Sequence, residues 1–364
     1  MYFVIIISLA ALILTYLDST NKQPGGMKYA FVLITIVGAI HYDYGNDYMA
    51  YYDMYEKVSL VPFNIISVLE GDVLKEPGWA LLCYLFKPIG GFFMMVAVLN
   101  IIQNVLIYKN IKSYVDKKWW PMAIFIYLFS TSFYLLNFSM MRQGLVICVF
   151  FGMWPWIKEK KIIRSLITLL LCSLVHTSAV ILLPFAFWGC LPFRNSRVWA
   201  IVLLVLFLAL WIVKDFLNGI FGYLMLIEQF DDYASYYALT DDRELSFGLG
   251  YLMNTLPFFL SLCYLFFNND SQKQSNQLVI LAAISFLITP FTTIIPLIER
   301  VRMYFAVYLI TSLPIVYSCV RNKVLRYGLI FIFVFLYLYD YRGWFYSDVW
   351  MDSYRTYQTI FSVL

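Results

Sequence analysis

The sequence predicts an all-α membrane protein that crosses the bilayer about twelve times. Of its 364 residues, 62% are apolar and only 13% are charged, whereas soluble domains are about 45–50% apolar. The apolar residues also form blocks almost free of charge, each close to the roughly 20 residues that a helix needs to cross a membrane. A water-soluble fold is therefore nearly excluded.

The charges between these blocks predict the topology. By the positive-inside rule, the short connections rich in lysine and arginine face the cytoplasm. These connections are residues 109–118, 158–164, 194–197, the stretch around Lys273 and residues 321–326, joined by Lys22 and Lys28. Most of the acidic residues fall in the remaining loops. This asymmetry in charge predicts that both termini lie on the extracytoplasmic side of the membrane.

The spans that satisfy this asymmetry are approximately 2–17, 28–41, 88–108, 119–136, 141–157, 165–176, 178–192, 198–213, 246–267, 277–295, 301–320 and 326–340. The stretch from Ser165 to Leu191 fits least easily, because it is too short for two full spans and somewhat long for one. Two short helices with a turn at His176 satisfy the charges. That turn then lies at membrane depth, where irregular backbone must be buried in protein or line a water-filled cavity. One tilted span is the alternative, and it inverts the topology of everything that follows.

Three long segments lie outside in this topology: residues 41–87, residues 214–246 and the tail after Asp340. All three are rich in aromatic residues, and the first two have an excess of acidic residues. No internal repeat of fixed period occurs, and no loop has the composition of a disordered linker. We therefore expect a single polytopic membrane domain, residues 1–364, with an external cap.

Metal and nucleotide chemistry have little support in the sequence. Only two histidines occur, His41 and His176, and the six cysteines form no CxxC pair. No GxxxxGK[ST], GxGxxG or zincin motif is present, which argues against an ATP-driven pump. We expect no metal, no cofactor and no nucleic-acid partner.

Ionisable side chains at membrane depth are costly and indicate function by default. His176 lies between two uncharged runs, the second of which extends to Arg194. It could be a neutral histidine bonded to a neighbouring helix. It could also line a wet cleft, where an imidazole accepts a proton or holds a phosphate oxygen.

Arg142 belongs to an outer turn between two predicted helices. A lone arginine there can snorkel as an interfacial anchor. However, Asn137, Ser139 and Gln143 lie close to it in sequence, so the turn carries more donors than anchoring requires. A planar guanidinium matches two phosphate oxygens at once, which predicts a phosphate contact.

A second outer turn contains Glu299, Arg300 and Arg302. Glu299 can neutralise one arginine and leave the other available. Two arginine turns on one face predict a polyanionic headgroup, with ordinary interfacial charge as the alternative for each residue alone.

Two carboxylates of the first external segment are candidate bases. Asp47 follows Gly45 in a turn surrounded by tyrosines, and Glu76 precedes Pro77 at a predicted helix start. Capping the positive end of the helix dipole would by itself explain Glu76. In the functional interpretation, Glu76 or Asp47 is a general base for a sugar hydroxyl, and aromatic rings bind pyranose faces.

In this order, these residues resemble the EpsG family of polysaccharide-synthesis proteins, which is related to the Wzy-type polymerases of bacterial O-antigen and capsule. The resemblance rests on a GxDxxxY element (Gly45, Asp47, Tyr51), an E-P-G-aromatic element (Glu76, Pro77, Gly78, Trp79), an N-x-x-x-x-R-Q turn (Asn137, Arg142, Gln143), an H-x-S element (His176, Ser178) and an E-R-x-R-x-Y-F segment (Glu299, Arg300, Arg302, Tyr304, Phe305). His41 departs from the pattern, since family members often carry an arginine there.

The resemblance implies a GT-C-like glycosyltransferase of the bacterial plasma membrane that uses neither a nucleotide sugar nor a metal. It would transfer a growing glycan from undecaprenyl pyrophosphate to a lipid-linked oligosaccharide repeat unit on the outer face. The partners would be this lipid-linked oligosaccharide, membrane lipid and a chain-length regulator.

The roles implied for individual residues follow from the same chemistry. The candidate bases, in order of preference, are His176, Glu76 and Asp47. Pyrophosphate would contact Arg142, Arg300 and Arg302. The residues expected to bind substrate are Asn137, Gln143, Ser178, Tyr51, Glu299 and Tyr304.

Two other functions fit the sequence. A transporter or flippase for lipid-linked sugar would also contain broken helices and buried charges. An O-antigen ligase would use similar arginines with a different acceptor.

Overall fold

The structure is a computed structural model that describes residues 1–191, 195–224, 249–267, 273–289 and 296–362. The chain forms two compact units. The first unit comprises Met1–Leu191 and Tyr337–Leu364, and the second comprises Pro192–Leu336. The described parts are almost entirely helical.

The first unit is built from α-helices, short 3-10 helices and one strand pair. Up to residue 191 its elements are α1 (Tyr2–Ser19), α2 (Gly26–Ile40), β1 (His41–Tyr42), α3 (Tyr48–Leu60), α4 (Ile65–Glu70), α5 (Pro77–Phe86), η1 (Lys87–Ile89), α6 (Gly91–Tyr114), η2 (Lys117–Trp119), α7 (Trp120–Phe129), α8 (Leu136–Ser139), α9 (Met141–Gly152), α10 (Trp154–Lys158), α11 (Ile162–Val175) and η3 (Thr177–Cys190).

The second unit contains α12 (Ser196–Leu224), α13 (Leu249–Phe267), α14 (Lys273–Leu287), α15 (Pro296–Ala306), α16 (Leu309–Cys319) and the first part of α17 (Lys323–Phe345). Aromatic packing joins its first three helices: Phe258 lies 4.8 Å from Phe207 and 6.0 Å from Phe286, measured between ring centroids. The chain re-enters the first unit along α17 and continues through α18 (Met351–Arg355), β2 (Gln358–Thr359) and η4 (Ile360–Ser362).

Met1 and residues 355–359 of the tail lie at one end of the first unit. Strand β1 pairs antiparallel with β2, and the Met1 ammonium donates to the Arg355 carbonyl at 2.7 Å. At the opposite end of α1, Lys117 contacts Asp18 at 3.0 Å and donates to Asn21 at 2.9 Å. Two loops that the charge pattern predicts on the cytoplasmic side therefore meet away from the termini.

The stretch from Ser165 to Leu191 forms a hairpin. Helix α11 ends at His176, whose backbone is extended, and η3 returns until Gly189 packs against the Ile157 carbonyl. The sequence did not predict a 3-10 helix for the second arm. Because a 3-10 helix rises about 2.0 Å per residue, its 14 residues extend about 28 Å, so a short sequence covers a long distance.

Fewer helices than expected have the length and composition of a full membrane span. Among the described residues these are Tyr2–Ser19, Gly91–Tyr114, Ser196–Val213 and Lys323–Phe345, and the bent pair Ile298–Ala306 and Leu309–Cys319 adds a fifth if it is one span. Six further apolar helices are shorter, at 10–17 residues. Twelve crossings are therefore not confirmed.

One predicted boundary is wrong. The span predicted at 119–136 holds only the ten residues of α7, because Ser130 turns to an extended backbone. In α12 the candidate span is Ser196–Val213, close to the predicted span 198–213, and the helix continues to Leu224 in the segment expected to be an external loop. The remainder of that loop, residues 225–246, lies outside the described residues.

Helices α3 and α5 form the main part of the segment predicted as an external cap. Tyr48, Tyr51 and Tyr55 recur on one face of α3 and are buried against α5 and α6, where they meet Trp79 and Phe92. This aromatic packing fixes the start of α5, which carries Glu76.

Candidate functional site

Glu76 immediately precedes α5, and Pro77 occupies the first helical position, where proline's fixed φ suits the geometry. The Glu76 side chain does not cap its own helix. Its carboxylate turns instead toward the break between α11 and η3. The structure therefore does not support the interpretation of Glu76 as a side-chain cap of α5.

The Glu76 carboxylate accepts four hydrogen bonds. Oε1 accepts from His176 Nδ1 at 2.9 Å, from the Thr177 backbone N–H at 3.0 Å and from Thr177 Oγ1 at 3.4 Å. Oε2 accepts from Arg142 Nη1 in an ion pair. The residue is only 8% exposed. Two candidates from separate helices, His176 and Arg142, thus meet at one buried carboxylate.

Arg142 is held by a second partner, Tyr51. Its Nε donates to the Tyr51 hydroxyl at 3.4 Å, and the guanidinium carbon lies 5.1 Å from the centroid of that ring. The Tyr51 ring in turn lies 5.3 Å from Trp79. The Arg142 side chain is 25% exposed, and its Nη2 has no hydrogen-bond partner among the described residues. The guanidinium is oriented by the protein while part of it faces outward.

The charge state of Glu76 determines the tautomer of His176. Burial raises the pKa of Glu76, but the His176 hydrogen bond, the Arg142 charge and the Thr177 N–H together lower that pKa below its ordinary value of 4.5. An ionised carboxylate only accepts hydrogen bonds, so Nδ1 of His176 carries the proton. In neutral imidazole Nε2 then keeps its lone pair, and this atom is buried without a hydrogen-bond partner in the described structure.

Gly78 allows α5 to approach the end of α11. A Cβ at this position would lie 2.7 Å from the carbonyl carbon of Leu174 and 2.8 Å from the backbone nitrogen of Val175. Only a glycine lets two backbones come this close. This contact brings Glu76 within hydrogen-bonding distance of His176, one residue after Val175.

The turn that carries Arg142 is supported by the loop at Gly45. Gly45 has φ +121°, and a Cβ there would lie 2.7 Å from the Phe138 carbonyl oxygen. The backbone N–H of Asp47 donates to Ser139 Oγ at 3.2 Å, and that of Gly45 donates to the Ser353 carbonyl at 3.1 Å. Asp47 lies one helical turn before Tyr51, on the same face of α3. The structure therefore places Asp47 beside the Arg142 turn.

Two expected substrate-binding residues are buried in the unit. Asn137 is 7% exposed and donates to the Tyr127 hydroxyl at 3.5 Å, and Gln143 is 1% exposed. The Tyr127 hydroxyl also donates to Asn104 Oδ1 at 2.9 Å, which extends a chain of uncharged polar groups into the interior. In this position Asn137 and Gln143 stabilise the turn, and their contact with a substrate stays a prediction.

His41 is 1% exposed, and its Nδ1 lies 2.7 Å from the Gly38 carbonyl oxygen. A buried ring held by a backbone carbonyl is poorly suited to replace a phosphate-binding arginine. Ser178, by contrast, lies half-buried in the first turn of η3.

The second arginine turn belongs to the second unit. Arg302 and Glu299 form an ion pair one turn apart on α15, with Nε of Arg302 2.6 Å from Oε2 of Glu299. Arg300 is half-buried on the same helix, and Tyr304 is fully buried. Glu299 thus neutralises one arginine, as one interpretation of the sequence expected. The convergence of this turn with Arg142 stays a prediction.

Sequence reasoning missed several groups that complete the site. Thr177 supplies two of the four hydrogen bonds to Glu76, and Ser353 holds the loop at Gly45. The aromatic composition of the tail was a signal for its packing role, since Tyr354 donates to the Leu135 carbonyl at 3.0 Å. Within the described ranges, no three His, Cys, Asp or Glu side chains gather as a metal site.

A model of the EpsG family matches residues 27–359, which include every element of the site. No curated protein and no solved structure matches the chain. The matched region covers far more than half of the 364 residues. The chain therefore belongs to the EpsG family.

Proposed function

We propose that this protein is a polysaccharide polymerase that transfers a growing glycan from undecaprenyl pyrophosphate to a lipid-linked oligosaccharide repeat unit. Membership of the EpsG family indicates a membrane protein of exopolysaccharide biosynthesis. The observation that carries the proposal is the Glu76 carboxylate shared by His176 and Arg142. One buried group there orients both a proton acceptor and a cation.

In this reaction the acceptor hydroxyl attacks the anomeric carbon of the donor sugar. A new C–O bond forms, and the bond from the anomeric carbon to the diphosphate oxygen breaks with its electron pair on undecaprenyl pyrophosphate. The hydroxyl proton passes to Nε2 of His176, whose lone pair is available because Nδ1 donates to Glu76. The products are the glycan extended by one repeat unit and the free lipid diphosphate.

Glu76 acts here as a positioning residue. Its oxygens already accept four hydrogen bonds and its pKa is lowered, so it is a weak base. It holds the imidazole in one tautomer and supports the imidazolium that forms when Nε2 takes the proton. Asp47, beside the Arg142 turn, is the remaining candidate base.

Arg142 stabilises the leaving diphosphate. Charge develops on the diphosphate oxygens as the glycosidic bond breaks, and a fixed guanidinium aimed at them lowers the barrier. Nη2 of Arg142 provides the N–H groups for this contact, since Nη1 and Nε are used by Glu76 and Tyr51. Arg300 and Arg302 would add charge, with that of Arg302 shared with Glu299.

We further propose that the termini and the site face the outside of the plasma membrane. The site, Met1 and residues 353–359 of the tail lie at one end of the first unit, and Lys117 lies near the other. The positive-inside rule assigns the lysine-rich end to the cytoplasm.

The proposal is tested by Arg142→Ala and Arg300→Ala in a polymer-deficient host, with Arg342→Ala as a control. Arg342 is an exposed arginine of the first unit that packs on Tyr346 and touches no site residue. Polymer of normal length from the control and only single repeat units from the two variants are expected. Normal polymer length from stably inserted Arg142→Ala protein would remove the assigned role.

A carrier for lipid-linked sugar is the second candidate, because broken helices such as the one at His176 are typical of transporters. Purified protein in liposomes separates the two functions. Conversion of labelled lipid-linked repeats into a ladder supports the polymerase, and translocation without lengthening supports the carrier. Transfer to a lipid A acceptor instead would indicate a ligase.

A further inference from the structure

Residues 58–69 form an apolar stretch of the first unit that the site does not use. These 12 residues carry no charge and lie between Lys57 and Glu70. The run is too short to span a bilayer, and apolar runs of about 10–14 residues are typical of a buried helix or an interfacial segment.

The exposure of its side chains excludes the buried alternative. Six large apolar side chains of the stretch are between 41% and 82% exposed: Leu60, Val61, Phe63, Ile65, Ile66 and Leu69. Val58 and Val68 are buried and attach the stretch to the rest of the unit. Apolar side chains exposed together in this way indicate an interaction surface.

The backbone of the stretch is nonetheless held in place. Tyr84 donates to the Pro62 carbonyl at 3.5 Å, the Phe63 ring packs edge-on against Tyr84 at 5.1 Å, and the Lys87 ammonium donates to the Ser59 carbonyl. The N-terminus of α4 is capped by Asn64 Oδ1, which accepts from the Ile66 N–H at 3.0 Å. The apolar side chains therefore point outward from a fixed scaffold.

The apolar surface continues toward a membrane span. Leu85, Ile89 and Met94 are 54%, 53% and 44% exposed, and they lead from α5 to the first turn of α6, a candidate span. Tyr84 and Lys87 lie at this junction, and tyrosine and lysine are the residue types that anchor membrane proteins at the interface. Both the continuity and these flanking residues favour lipid over protein as the occupant.

We propose that residues 58–69 lie in the membrane interface and bury their apolar side chains among lipid acyl chains. Tyr84 of α5 contacts this segment, and Glu76 immediately precedes α5, so anchoring of the segment sets the depth at which a lipid-linked headgroup meets Arg142. The contact with lipid does not require glycosyl transfer. Anchoring and catalysis can therefore fail independently.

Fluorescence in nanodiscs of phosphatidylglycerol and phosphatidylethanolamine tests the proposal on the full-length protein. A genetically encoded dansyl amino acid replaces Ile66 in one variant and Asp72, an exposed polar residue beyond α4, in another. At position 66 we expect blue-shifted emission that phospholipids with an acyl-chain nitroxide quench and aqueous iodide does not. At position 72 we expect the reverse. Quenching of position 66 by iodide and not by nitroxide lipid would overturn the proposal.

A photo-crosslinker distinguishes lipid from a protein occupant. With p-benzoylphenylalanine in place of Leu69, illumination of intact membranes should give a lipid adduct on the single chain, detected by mass spectrometry. A crosslink to another protein, including a second copy of this chain, as the main product would also overturn the proposal. Readouts that do not depend on polymer formation keep this test separate from that of the proposed function.

Discussion

Replacing Glu76 by glutamine probes the site with almost no change in shape. Four donors point at the carboxylate, three of them at Oε1 and one at Oε2. A glutamine side chain offers one acceptor and one donor, so it cannot satisfy both sides. Whichever way the amide is oriented, one interaction of the native site is lost.

Each orientation of the amide has a different consequence. With its oxygen toward Thr177, the amide keeps the His176 tautomer but presents its NH₂ to Arg142, which is also a donor. In the opposite orientation the NH₂ faces His176 Nδ1, so the imidazole must accept there and carry its proton on Nε2. The base is then lost.

Both orientations remove a charge-assisted hydrogen bond from a residue that is 8% exposed, which should lower the free energy of unfolding by about 1.5–3 kcal/mol. In the orientation that loses the base, the rate of elongation should fall by about 10²- to 10⁴-fold, the range that a positioned general base contributes. In the other orientation the rate should fall because Arg142 loses its ion pair with residue 76. Thermal unfolding of detergent-purified protein measures the first effect, and elongation of labelled lipid-linked repeats measures the second. Glu76→Gln protein with wild-type melting temperature and elongation rate would refute this description of the site.

Three further predictions rest on single contacts. Tyr51→Phe keeps the ring beside Arg142 but removes the hydroxyl that accepts from Nε at 3.4 Å. The rate of elongation should fall by tenfold at most, because one such hydrogen bond contributes about 0.5–1.5 kcal/mol. An unchanged rate would argue against Tyr51 as a support for Arg142. Gly78→Ala places a Cβ 2.7 Å from the Leu174 carbonyl carbon and should destabilise the protein by about 1–3 kcal/mol. Gly328→Ala, with open space around it, should instead stabilise its helix. Equal melting temperatures for the two variants would contradict the close approach of α5 to the end of α11. Because the pKa of Glu76 is lower in the folded protein than in the unfolded chain, its ionisation stabilises the protein above pH 4.5. This stabilisation is lost as the pH falls through the folded pKa. If the melting temperature fell equally in wild type and in Glu76→Gln as the pH is lowered below 4.5, Glu76 would not be the ionised carboxylate of the site.

The candidates could be found from sequence because charges are rare in this chain. His176 and Arg142 interrupt long uncharged runs, and the alternation of basic loops assigns both to the outer ends of their helices. The structure places them together at one end of the first unit, with Glu76 between them. The sequence could rank the candidate bases His176, Glu76 and Asp47 but could not decide among them, because basicity depends on the hydrogen bonds that each group makes in the folded chain.

Other features depend on contacts that local patterns do not encode. Hydropathy does not distinguish a helix from apolar irregular backbone buried in protein, so the end of α7 at Phe129 and the 3-10 geometry of η3 were missed. The pairing of β1 with β2 joins residues more than 300 positions apart. Only the folded chain brings the tail to the loop at Gly45.

Reconstitution of purified protein with radiolabelled undecaprenyl-pyrophosphate repeat units tests the central claim most directly. Wild type should convert the label into a ladder of extended glycans and release undecaprenyl pyrophosphate, and His176→Asn, folded to the same melting temperature, should leave the label as single repeats. A ladder of undiminished rate from His176→Asn, or no elongation by folded wild type, would contradict the account.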